Sequence, residues 1–113
     1  MIRQCTENDR ANVLAFANEK PGENLFIIGD IESFGICNET VQTWVEEIEG
    51  KLEGIYLKYR NNFVIYSKSQ NFDPKEVANL ISTHDIKNIN CLKKTADLLM
   101  PILQDEYTAS QCY

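Results

Sequence analysis

A chain of 113 residues, 43% hydrophobic and 25% charged, can bury one ordinary core but not two, and it has no apolar run near the roughly 20 residues of a membrane span. Its 17 acidic and 11 basic residues leave a formal charge of −6, which repels nucleic acid and anionic membrane, and only Lys93 and Lys94 form an adjacent basic pair. Met1–Gln4 reads as a strand rather than an apolar leader, so a cytoplasmic location is expected. Cys5, Cys37, Cys91 and Cys112 lack CxxC or Cys/His spacing, and read as reduced thiols rather than disulfides or a metal site.

Met1 to Cys5 is expected to be a first strand, followed by a helix opened by the hydroxyl of Thr6 and the acids Glu7 and Asp9. Val13, Leu14, Phe16 and Ala17 give that helix an apolar stripe, and Pro21-Gly22 ends it. The run Leu25 to Ile28 alone fits a strand or a helix. The three-residue recurrence of Leu25, Ile28, Ile31 and Phe34, with Gly35 at the end, favours a second helix, in which Gly29 marks close packing.

From 40 to 67 the signal changes to strands at Val41–Glu49, Leu52–Tyr59 and Phe63–Ser67, joined by turns at Gly50-Lys51 and Asn61-Asn62. Asparagine tolerates the left-handed conformation of a primed turn, so a three-stranded antiparallel meander is expected. Glu46, Glu47 and Glu49 crowd its first turn and read as a solvated strand end more readily than as a general-base cluster.

The third strand feeds a helix opened by Asp73-Pro74-Lys75-Glu76. A helix N-terminus with free N–H groups can hold a phosphate when its loop is rich in glycine, but none lies between Phe63 and Glu76. Asp73 at the N-cap, Pro74 at N1 and Glu76 at N3 instead predict a helix that caps itself, with the Asp73 carboxylate on the N–H of Lys75 or Glu76. Val77, Leu80 and Ile81 mark its buried face to about His84, a C-capping position for the single histidine. A short buried strand at Ile89–Leu92 holds Cys91 as a core thiol. A fourth helix opens at Thr95 with Leu98, Leu99, Ile102 and Leu103 inward and Pro101 kinking or tightening it, and a last strand runs from Tyr107 to Tyr113.

The expected order is therefore β-α-α-β-β-β-α-β-α-β: an α/β (α+β) fold whose mixed sheet has a central antiparallel meander and helices on both faces. With Met1-Ile2-Arg3-Gln4 running into Thr6-Glu7-Asn8-Asp9-Arg10, and the stretch Asn24 to Gly35, that order resembles the GNAT family of N-acetyltransferases. More narrowly, it is similar to the N-terminal half of bacterial proteins that carry two GNAT-like units in tandem. The resemblance covers nearly the whole chain in topology, and residues 1–35 and 52–67 most strongly in sequence. It implies a single GNAT-like domain over 1–113, and the end inside a strand is read as truncation from a longer two-domain protein.

Family members bind acetyl-CoA where the fourth strand meets the third helix, through Gln or Arg followed by x-x-Gly-x-Gly or Ala. The resemblance places Val64, Ile65, Ser67, Gln70 and Asp73 there, with Gln70 as the opening Gln, Asp73 replacing the first glycine and Lys75 the second small residue. Glycine admits a pyrophosphate to the backbone, whereas Asp73 brings a negative charge. These residues therefore read as a vestigial site. The resemblance implies no catalytic residue, metal or cofactor in this domain, with acetyl-CoA bound by the full-length protein through a C-terminal GNAT domain of the same polypeptide. A homodimer is a second possible partner. Glu47, Glu53, Tyr56, Tyr59 and Tyr66 lie where the family places its base and acid, but strand tyrosines are usually packing residues.

Two other functions stay open. The domain itself could bind acetyl-CoA and acetylate a small amine drawn by Glu46 and Glu47, or it could be a ligand- or protein-binding module whose contacts are Phe34, Trp44 or Phe72.

Overall fold

The computed structural model describes residues 2–69, 71–103 and 108–112. Its elements follow the order β1 (Ile2–Gln4), α1 (Arg10–Ala17), α2 (Leu25–Phe34), β2 (Val41–Ile48), β3 (Lys51–Tyr59), β4 (Asn62–Ser67), α3 (Pro74–Ser82), β5 (Asn88–Cys91), α4 (Lys93–Leu103) and β6 (Thr108–Cys112). The six strands form one mixed sheet in sequence order. Turn-linked β2, β3 and β4 pair antiparallel, as β1 does with β2, while the α3 and α4 crossovers return β5 and β6 parallel to their neighbours.

Side-chain alternation sends the meander's residues to two cores. On one face Val13, Phe16, Ala17, Ile27 and Ile31 of α1 and α2 pack against Val45, Ile55, Leu57 and Tyr66. On the other, Val77 and Ile81 of α3 and Leu99 and Leu103 of α4 pack against Trp44, Tyr56, Phe63 and Ile65. Among the described residues no helix is long and apolar enough to cross a membrane.

Several details differ from expectation. The first turn is Glu49-Gly50, both with positive φ (53° and 79°), because Lys51 already pairs with Ile48. In the second turn the left-handed residue is Arg60 (φ 56°), not an asparagine, and its guanidinium lies 5.4 Å from the Tyr59 ring centroid. A 3₁₀ turn, Glu7–Asp9, precedes α1, with the Asp9 carboxylate accepting the Thr6 N–H at 2.8 Å. The last strand is Thr108–Cys112, and its expected ends at Tyr107 and Tyr113 fall outside the described residues.

The segment 25–34 is helical, but its buried face is Ile27 and Ile31, not the row Leu25, Ile28, Ile31 and Phe34. Three-residue steps drift around a 3.6-residue helix, so that row spreads over about half its circumference, whereas positions four apart stay aligned. Leu25 is 67% exposed, and Phe34 stacks on Tyr59 at 5.1 Å. Gly29 marks no close packing, because a Cβ there would have nothing within 4 Å. In α4 the buried side is Thr95, Ala96, Leu99 and Leu103, while Leu98 and Ile102 face outward. That helix begins two residues earlier than expected, with Leu92 accepting the N–H groups of Thr95 and Ala96, and continues through Pro101.

Candidate functional site

The β4–α3 junction is closed by its own residues. Asp73, extended at φ −86° and ψ 110°, accepts the Lys75 N–H on Oδ1 at 3.0 Å, while its carbonyl takes the Val77 N–H at 3.1 Å. Pro74 has no N–H to offer. The capped group is thus the second helical N–H, one of the two expected positions. Of the other expected site residues, Val64 faces the α1–α2 core, Ile65 faces the α3–α4 core, Ser67 is buried, and Gln70 lies outside the described residues. β4 pairs with β5 only through Asn62, Phe63 and Val64, so the strands part company before Ile65, and Phe72 is buried in the core with Ile65 and Val77.

Beside this junction, Glu46, Gly54 and Ser67 lie in register across β2, β3 and β4. Glu46 is 5% exposed, which corrects the reading of it as part of a solvated strand end. Tyr56, next along the same face, is fully buried, and its hydroxyl finds no hydrogen-bond partner among the described residues. Burial first, then the charges of Glu46 and Glu76, raise its ionisation far above the ordinary phenol range. Tyr56 is thus a neutral hydroxyl, suited to donating a hydrogen bond and not to acting as a base. Gly54 leaves room for it, since a Cβ there would stand 3.0 Å from the Tyr66 carbonyl and 3.5 Å from the Tyr56 hydroxyl. Tyr66 packs against Phe16 at 5.5 Å. Trp44 and Phe72 are buried, which removes them as surface contacts, whereas Phe34 is 44% exposed.

A second region was not expected. An open cleft of about 460 Å³ lies between α1 and the β2–β3 hairpin. α1 is tied down at both ends. Arg3 donates from Nε to Glu47 at 2.6 Å and from both Nη atoms to Asp9 at 2.9 and 3.1 Å, and Lys68 meets Glu19 at 3.1 Å. The Arg3 guanidinium and the Thr6 N–H hold the Asp9 carboxyl down at about 2. Arg3–Glu47 and Lys68–Glu19 join residues far apart in sequence, so no local pattern announces them.

Cys5 and Cys37 are free thiols, and burial pushes the Cys5 thiol up to about 12. Among the described residues no group of His, Cys, Asp and Glu could hold a metal ion. His84 donates from Nδ1 to the Leu80 carbonyl at 2.9 Å, with its ring edge-on to Trp44 at 4.8 Å, at the end of α3.

Compared with known proteins, the chain matches no protein-family model, no curated protein and no solved structure.

Proposed function

We propose that this chain is a GNAT-like domain without ordinary CoA binding, acting as the supporting or regulatory half of a tandem N-acetyltransferase whose C-terminal half binds acetyl-CoA. One observation carries the reading: the Asp73 carboxylate occupies the first turn of α3, on the Lys75 N–H at 3.0 Å, where a family pyrophosphate would sit. A phosphate at contact distance from that carboxylate meets a repulsion of about 1–4 kcal/mol, depending on exposure.

Calorimetric titration of the chain with acetyl-CoA to about 1 mM is expected to give no saturable heat, a range that detects even weak association. Saturable binding displaced by CoA would overturn the proposal in favour of an acetylating enzyme. The downstream reading frame is expected to encode Gln or Arg followed by x-x-Gly-x-Gly or Ala; a stop codon directly after Tyr113 removes the tandem part of the reading.

A further inference from the structure

The cleft between α1 and the β2–β3 hairpin combines a narrow apolar strip at Leu52, beside the edges of Val13 and Phe16, with charged groups at its rim, and a break in strand register supplies one of them. Glu46 pairs with Gly54 and Glu47 with Leu52, so Glu53 is an extra residue in β3 with no opposite number. Neighbouring residues of a regular strand point to opposite faces; a bulge lets two in a row serve one side. Leu52 and Glu53 both line the cleft, together with Val13 and Phe16 from α1. The Glu53 carbonyl is held by the Lys68 N–H at 2.8 Å, which anchors the bulge to the end of β4.

The charges sort into engaged and available. Arg3 is taken by Asp9 and Glu47, and Lys68 by Glu19. Glu53 and Lys51, which also line the cleft, make no side-chain hydrogen bond or ion pair among the described residues. Among the described residues the cleft therefore offers one carboxylate and one ammonium without a hydrogen-bonded partner, beside a narrow apolar strip, within a volume typical of small-molecule sites.

We propose that this cleft binds a small zwitterion with an apolar side chain, of the size of a hydrophobic α-amino acid. Its ammonium meets Glu53, its carboxylate meets Lys51, and its side chain covers Leu52 beside the edges of Val13 and Phe16. The site lies on the sheet face opposite α3 and does not depend on the CoA question.

The test is a titration of the ¹⁵N-labelled chain, followed by amide shifts, with three probes that share one branched apolar body: L-leucine, 3-methylbutylamine, which lacks the carboxylate, and 4-methylpentanoate, which lacks the ammonium. Saturable shifts at Leu52, Glu53 and Lys51 with L-leucine are expected, with each truncated probe about tenfold weaker or worse, since each loses one charged contact. Glu53→Gln should weaken L-leucine about tenfold while leaving 4-methylpentanoate unchanged, and Lys51→Gln should show the converse pattern with 3-methylbutylamine. Both substitutions are at hairpin positions outside the buried cores, and unchanged spectra elsewhere will confirm folding. No saturable shift with L-leucine or L-phenylalanine at about 10 mM, or equal affinity for all three leucine-shaped probes, overturns the proposal.

Discussion

The β4–α3 junction and the α1–hairpin cleft are both places where a strand end meets a helix, yet they are built in opposite ways. At the junction the helix end is closed by local contacts: Asp73 reaches Lys75, two residues on, and Val77, four residues on. At the cleft the closing contacts join β1 to β2 and α1 to the end of β4, through Arg3–Glu47 and Lys68–Glu19. Local contacts fill a helix end and leave little for a ligand to find. Long-range contacts hold elements apart at their rims and leave space between them.

Gly54 tests both regions at once, because it follows Glu53 of the cleft and pairs with Ser67 at the junction. Gly54→Ala forces a methyl group to 3.0 Å from the Tyr66 carbonyl, against backbone that cannot move without shifting β4. A loss of about 1–3 kcal/mol is expected in a urea unfolding curve, and an unchanged midpoint would show that the sheet yields easily there.

Asp73→Ala probes the junction alone. Removing the acceptor of the Lys75 N–H should lower stability by about 1 kcal/mol, whereas Asp73→Asn, which can still accept, should stay within a few tenths. Equal losses in the two variants would mean that charge, not the cap, holds α3.

The smallest effect belongs to the cleft rim. Arg3→Ala opens an exposed network and should cost at most about 1 kcal/mol at pH 7, less at high salt. Its pH dependence has a definite sign. Arg3 first, and the Thr6 N–H with it, lower the folded Asp9 carboxyl from 3.8 to about 2, so Arg3's share of this stabilisation is fully present above pH 4 and is lost as pH falls from about 4 to 2. The gap between Arg3→Ala and the parent should close over that window, and a gap that persists at pH 2 would show that Arg3 acts by packing alone.

The meander was legible in the sequence because strand alternation, turn residues and β-branched content agree from residue 41 to 67. The helical reading of 25–34 was legible too, while its buried face was not. Which side of a helix goes inward depends on where the sheet lies, and α2 places Asn24 inward as well, with its side-chain amide on the Ala17 carbonyl at 3.0 Å. The burial of Glu46 is not legible for a similar reason: beside Glu47 and Glu49 it looks like surface, but strand register turns it to the α3–α4 face next to Gly54.

By itself, the sequence determined much of what is settled within a few residues: the order of helices and strands, the Asp73 cap on α3, and the glycine ending α2 at φ 93°. Propensity, capping and turn chemistry act over one or two turns of chain, so they are written where they act. Tertiary structure alone decided the bulge at Glu53, the double tethering of α1 and the cleft beneath it. Those depend on pairing between segments remote along the chain, where the gain comes from closing a whole sheet and not from any one residue's preference.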